Sequence, residues 1–344
     1  MDKQLLDRAY RELFRRTPDE NFASLDGVES FCREKRQHAR EIWEPPCALR
    51  ATPNAADTVR LSLDNGDSLR LNDWSFGQLC RLAGVAKETV NRLSPDTASR
   101  VLAETLPQGS KPLQLLTQGD TVRAIHGTSY TRLFDAELVQ LVREDAIDFQ
   151  PPQAALNGAT GLYAGEQDLF LFLIDPLGWT EIGGEAFAPG FFVYNSEVGK
   201  RALGIQTFWF QAVCQNHLVW DAVEVVDFQR RHTAHVHDAL AEMRGILRSL
   251  VAKRDHRRDA FAKVVANAMR TKLGDDGDEV LKVLSQHGIQ RSLANRALEI
   301  AREQGRLTIF SLVDALTRIS GEMVYIGDRT EVDARVSQLL QLAA

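Results

Sequence analysis

Cysteine is scarce in this chain of 344 residues, and Cys32, Cys47, Cys80 and Cys214 stand far apart with no CxxC pair among them. A disulfide framework is therefore not expected. The four read as small buried thiols of a reducing compartment. Long apolar runs are missing as well. A run such as Leu169 to Ile174 falls far short of the ~20 residues that span a bilayer. The N-terminus, MDKQLLDRAYRELFRR, is charged throughout and lacks the apolar stretch of a secretory signal. These absences predict a cytoplasmic protein without a membrane partner. Catalytic signatures are absent too, with no GxSxG and no HExxH. Gly199-Lys200 is not preceded by the rest of a GxxxxGKS/T phosphate loop. Ser196 beside Glu197 could be a nucleophile with a partner, but a Ser in such a loop more often bonds its own backbone. No catalytic residue and no cofactor are expected. An overall excess of positive charge is also lacking: 41 Lys and Arg face 47 Asp and Glu, for a net charge of -6. Any nucleic-acid contact must then come from a local patch.

The composition is that of a globular protein, with 44% hydrophobic and 26% charged residues, so a sizeable core can form. Leu5, Leu6, Tyr10 and Phe14 recur at helical spacing among Arg8, Arg11, Arg15 and Arg16, and Thr17-Pro18 ends that pattern. A second charged helix is predicted over Ser30–Trp43, stopped by Pro45-Pro46. TVRLSL and SLRLN flank Asp64-Asn65-Gly66, which predicts a β-hairpin over 57–72. A helical pair follows over 75–106. Alternation returns over 113–126 about Gly119-Asp120, and a short helix is predicted over Phe134–Arg143. Residues 161–226 are strand-like, rich in aromatic and β-branched side chains. From Thr233 the period turns helical. Leu240, Met243, Ile246, Leu247, Leu250 and Val251 form one stripe, and Asp275-Asp276-Gly277 interrupts the run before three further helices. The class is α+β: a β-rich core flanked by an N-terminal helical segment and a helical C-terminal third. The expectation is one compact unit over 1–344, with a helical cap (1–45), an α+β core (46–230) and a helical region (231–344).

Several blocks resemble one family. They are SFGQLCRLAGV (75–85), VRAIHGTSYTRLFDAEL (122–138), LYAGEQDLFLFLID (162–175), GFFVYNSEVGKRALGIQTFWFQAVCQNHLVW (190–220), RRHT (230–233) and LTIFSLVDALT (307–317). Together they resemble the phage- and plasmid-borne family known as domain of unknown function 932, with NSEVG and CQNH the most specific blocks. The resemblance implies a mobile-element setting with DNA metabolism or defence nearby. It brings no catalytic residues.

Four constellations carry candidate chemistry. SFGQLCRLAGVAKETVNRL (75–93) has the shape of a helix-turn-helix, with Gly84 at the turn and Lys87, Asn91 and Arg92 among the residues facing a major groove. The alternative is a plain helical hairpin packed on the strands before it. The stretch from Phe228 to Lys272 holds eleven Lys and Arg against four Asp and Glu. It includes Arg230, Arg231 and the dense cluster Lys253, Arg254, Arg257 and Arg258. On a helix 254, 257 and 258 share a face that could neutralise phosphates, or could simply be solvated. Phe208, Trp209 and Phe210 are consecutive in a strand, so Trp209 faces opposite to its neighbours. An exposed Trp209 could stack bases; a buried one would be core. Cys214, His217, His232 and His235 are ligand types that suit zinc, but their spacing matches no zinc motif, and no metal is expected.

The resulting expectation is a nucleic-acid-binding protein of mobile-element origin, with single-stranded DNA the favoured partner in recombination, replication or repair. The alternatives are a helix-turn-helix duplex binder, a metal-dependent hydrolase, and an anti-defence protein that binds a host protein. A homo-oligomer is compatible with each.

Overall fold

The computed structural model describes residues 12–54, 58–155, 160–212, 217–220, 226–303, 305 and 307–343, with backbone alone at 155 and 217–220. The chain begins with a short strand β1 (Glu20–Asn21), helix α1 (Leu25–Gln37) and strands β2 (Ala39–Glu44), β3 (Arg50–Asn54), β4 (Thr58–Ser62) and β5 (Ser68–Leu71). Helices α2 (Asp73–Leu82), α3 (Lys87–Val90) and α4 (Pro95–Thr105) lead to β6 (Leu113–Gln118), β7 (Thr121–His126) and α5 (Asp135–Asp145). After the single turn α6 (Pro152–Ala155) come β8 (Leu162–Ala164), β9 (Leu169–Ile174), β10 (Thr180–Ile182), β11 (Glu185–Asn195), β12 (Leu203–Gln211), β13 (His217–Trp220) and β14 (Asp227–Arg230). The rest is helical: α7 (Asp238–Ala252), α8 (Arg254–Ala268), α9 (Gly277–Gln286), α10 (Arg291–Glu303), α11 (Ile309–Ser320) and α12 (Ile326–Leu340).

Among the described residues the strands form two sheets. One has the order β2-β6-β7-β5-β4-β3; β5 and β7 pair in parallel and every other neighbour is antiparallel. The other has the order β1-β8-β9-β11-β12-β13, with β10 beside β11 and β14 sharing the outer edge of β12 with β13. The alternation of LFLFLI in β9 explains why this second sheet is covered on both sides, since successive side chains point to opposite faces. Leu169, Leu171 and Leu173 meet α5 and α7 through residues such as Leu138, Val142, Met243 and Leu247. Phe170 and Phe172 turn the other way, joining Phe192, Phe208, Phe210 and Ile326 at the start of α12. The first sheet packs one face on α2 and α4, where Phe76, Leu79, Ala98 and Leu102 are fully buried. Helices α8–α12 build a further core, into which the second sheet inserts Phe187 and Trp209.

The α+β reading stands. The hairpin turns fall where glycine permits a left-handed backbone, at Gly66 (φ +92°) and Gly119 (φ +57°). Asp276 caps α9, its carboxylate accepting from the amides of Asp278 and Glu279 at 2.9 Å. The N-terminal region differs from expectation at two places. The helix predicted over Ser30–Trp43 is two elements, α1 ending at Gln37 and β2 beginning at Ala39. An edge strand has one neighbour only and carries charge without penalty, so AREIWE, with its Arg and two Glu, hides its strand character. The N-terminal segment is not helical where it is described. Phe14 lies on Phe76 at 4.5 Å, and the chain then crosses to α12. There the Arg16 guanidinium sits 3.9 Å over the Tyr325 ring, and Asp19 accepts from the amide of Ile326 at 3.1 Å. Residues 1–11 of the predicted first helix lie outside the described residues. Of the cysteines, Cys32 and Cys80 are buried and Cys47 is exposed, while Cys214 is outside the described residues.

Candidate functional site

The segment Asn195–Gly199 leaves the end of β11 and runs into the junction of the two sheets, where it is almost wholly buried. Glu197 is its hub. Its carboxylate accepts from the Arg123 guanidinium (2.7 Å) and from the Asp135 amide (2.9 Å), and the Lys35 ammonium lies 3.5 Å away. Lys35 also bonds Asp135 at 3.1 Å, and Asn195 donates to Asp135 at 2.8 Å and to the Leu133 carbonyl at 2.9 Å. Burial works to raise both carboxyl groups, and the outcomes diverge. At Glu197 the charges of Lys35 and Arg123, with the Asp135 amide, outweigh burial and hold the group below the usual carboxylate range. At Asp135 burial is reinforced by the charge of Glu197, and the group is raised. The backbone of the segment is used as fully. Arg132 and the Tyr130 hydroxyl donate to the Glu197 carbonyl, and Arg132 continues to Glu41 (2.9 Å) and Gln114 (2.8 Å). Trp74 donates its indole N–H to the Val198 carbonyl at 2.8 Å. The segment is thus a clamp between the sheets. Ser196 donates to the Gln167 carbonyl (2.6 Å) and accepts from the Lys200 amide (2.9 Å), the backbone bonding expected of it, and is fully buried. No nucleophile is presented here.

Gly199 closes the segment at φ +74°, and an added Cβ would lie 2.6 Å from His126. The Tyr130 ring stacks on His126 at 3.7 Å and on His232 at 5.2 Å. Burial, with the nearby Arg132 charge contributing, pushes the two imidazoles down to about 3 and about 4, so both are neutral.

Around this clamp lie three adjoining cavities. The first, about 390 Å3, has Lys35, Arg70, Arg123, Glu20 and Glu166 in its wall. The second, about 420 Å3, is walled by Trp74, Arg81, Lys87, Lys200, Asp73, Glu88 and Gln167. It meets the first at Asn72-Asp73 and Glu166-Gln167. The third, about 290 Å3, has Lys200 in common with the second and adds Arg201 and Glu331. Along this seam seven cations face five carboxylates, the reverse of the balance in the whole chain. Arg81 and Lys200 have no carboxylate partner among the described residues, and the Lys200 ammonium lies 5.6 Å from the Trp74 ring.

The residues predicted from sequence do not assemble into one surface. Trp209 does face opposite to Phe208 and Phe210, but all three are buried; its indole stacks on Phe261 at 4.0 Å and 3°, and so no base can reach it. The basic cluster at the start of α8 is largely turned inward or paired. Arg254 binds the buried Asp175 carboxylate, Arg257 is 4% exposed, and Arg258 pairs with Asp255 (2.9 Å) and Asp259 (3.1 Å). Arg230 pairs with Glu242; Arg231 and Lys253 are exposed. In the expected helix-turn-helix, Gly84 does make the turn (φ +69°), but α3 is a single turn, too short to lie along a groove. Asn91 is buried and holds the Phe14 backbone through two bonds of 2.9 Å. Arg92 is exposed, and Lys87 binds Asp73 at 2.6 Å while lining the seam. Among the candidate metal ligands, His232 is buried in the ring stack and His235 is exposed on Asp238. Cys214 and the His217 side chain lie outside the described residues. Among the described residues no group of three or more ligating side chains could hold a metal, and no helix is long and apolar enough to cross a membrane.

Sequence reasoning missed Lys35, Arg123, Trp74 and Arg81. These come from α1, β7 and α2, and no local spacing unites them.

The fold and seam define a two-sheet α+β protein whose halves are locked by a buried charge cluster. Residues 156–277 match the model of a family described as Domain of unknown function (DUF932), the family that the sequence blocks resemble. The match spans β8 to the start of α9 and includes the whole Asn195–Gly199 clamp. No match to the chain is found among curated proteins or among solved structures.

Proposed function

We propose that this chain binds single-stranded nucleic acid, DNA in the first instance, along the seam between its two sheets, and serves recombination, replication or repair on a mobile element. One observation carries the reading: the Trp74 ring is held in a cavity wall beside Arg81 and Lys200, two cations without carboxylate partners among the described residues. An aromatic face for a base beside cations for the backbone is how proteins hold single strands. The Trp74 indole N–H is spent on Val198, which fixes the ring and lowers the ordering cost of stacking. Duplex reading lacks an element of groove length at the α2–α3 turn.

The test is fluorescence anisotropy with a labelled oligonucleotide between about 50 and 200 mM salt. Arg81→Ala with Lys200→Ala should weaken binding and flatten the plot of log affinity against log salt by about 0.7 for each phosphate no longer neutralised. Arg254→Ala with Arg258→Ala should leave the slope unchanged, because those side chains are engaged within the protein. The opposite pattern would return the interface to α8. Absence of salt-dependent binding to any strand would end the proposal and favour a host-protein partner.

A further inference from the structure

Strand β2 closes one end of the six-stranded sheet and pairs with β6 without a break, from Ala39 opposite Gln118 to Glu44 opposite Leu113. Among the described residues its backbone bonds to β6 alone, so its outward amides and carbonyls stay open. The other edges are guarded. β3, at the far end of the same sheet, carries Pro53 and packs against α4. In the second sheet β1 is only two residues long, and β13 lies against α11 and α12. β2 has neither a bulge nor a proline. It also carries Trp43, a large apolar side chain that is 48% exposed. Its free charges are of both signs. Arg40 and Glu44 lie on one face of the strand with Ile42 between them, and neither has an ion-pair partner among the described residues. Ile42 rests on the core beneath the sheet. Glu41, on the opposite face, is already held by Arg132 at 2.9 Å.

We propose that β2 pairs with β2 of a second copy of this chain, antiparallel and centred on Ile42, so that two copies form a two-fold dimer. A two-fold axis through the sheet brings residues of the same face opposite one another. Centred on Ile42, it sets Arg40 of each copy against Glu44 of the other. The two Ile42 side chains meet at the axis and join the cores beneath the two sheets. On the opposite face Trp43 stands across from Glu41 and diagonal to the second Trp43, a separation that aromatic side chains bridge. The neighbouring registers are poorer. Centring on Glu41 sets two carboxylates face to face, and centring on Trp43 sets Glu44 against Ile42. Charges that merely keep copies apart need no such order, since one sign serves. The pairing continues each six-stranded sheet into the other. It does not depend on what the seam binds.

The experiment is sedimentation equilibrium of the full chain over a wide range of concentration. Wild type should reach twice the mass of one chain. Arg40→Glu and Glu44→Arg, each alone, set like charges opposite at both ends of the pairing and should weaken association about tenfold or more. Arg40→Glu combined with Glu44→Arg restores opposite charges in the same register and should recover the wild-type dimer. Neither side chain has an ion pair to lose within its own copy, and a thermal melt checks that each variant is folded. A wild type that stays monomeric overturns the proposal and leaves the edge to a strand of another protein. A dimer that either single reversal leaves intact overturns it as well, as does a folded double variant that fails to reassociate.

Discussion

Glu197 brings a negative charge to a position 1% exposed, where Lys35 and Arg123 converge on it with Asp135 alongside. Removing one member of such a cluster leaves its partners charged and buried, which costs about 3–5 kcal/mol. Glu197→Gln keeps the shape and removes the charge, so urea unfolding should show a loss of that order. A loss below about 1 kcal/mol would mean that the cations reach water in the native state. The ring stack yields a second expectation. His126 and His232 have folded pKa values below the unfolded value of about 6.5. As pH falls, the unfolded chain therefore takes up protons first. The stability these rings contribute is whole above about pH 7 and erodes from about 6.5 down to about 4 for His232 and about 3 for His126. By pH 5 the loss is at most about 2 kcal/mol per ring, because only about 1.5 pH units separate that pH from the unfolded pKa. The raised carboxyl of Asp135 acts in the opposite sense over the same interval. The measurement is thus a comparison: His232→Asn should lose less stability between pH 7 and pH 5 than wild type does, and equal losses would sink the assignment.

At the scale of elements, the features written locally in the sequence were legible. Hairpins declare themselves through Gly66 and Gly119, and the C-terminal helices through apolar periodicity and the Asp276 cap. Helices α10 and α11 lie in the stretch where three further helices are expected. Strand β2 was hidden because an edge strand tolerates helix-like charge density. The joining of 39–126 into a six-stranded sheet was also hidden, because the pairing of β5 with β7 reaches over four intervening elements. The candidate site was less legible still. Charge density drew attention to α8, yet density alone does not distinguish an arginine facing solvent from one neutralised by Asp175 across 79 residues of chain. The period-2 rule correctly placed Trp209 opposite Phe208, but sidedness does not reveal that α8 covers that side with Phe261.

At the scale of the whole molecule, the sheet and the C-terminal helices share one interior. Phe187 and Trp209 are fully buried against Phe261 and its neighbours, and α12 closes the aromatic face through Ile326. A chain ending near Arg230 would leave both surfaces bare. Such a fragment should show no cooperative thermal transition and should aggregate, and a sharp melt from soluble 1–230 would show that the sheet stands without its helices. The contact of Asp19 with Ile326 has a temporal side. These residues are 307 positions apart, and at translation rates of about 5–20 residues per second the strap meets its anchor roughly 15–60 s after it is made. Through that interval Arg16 and Asp19 have no Tyr325 or Ile326 to bind. The nascent protein therefore carries an open flank on the ribosome, and a chaperone acting on it would engage the N-terminal segment first and release it last.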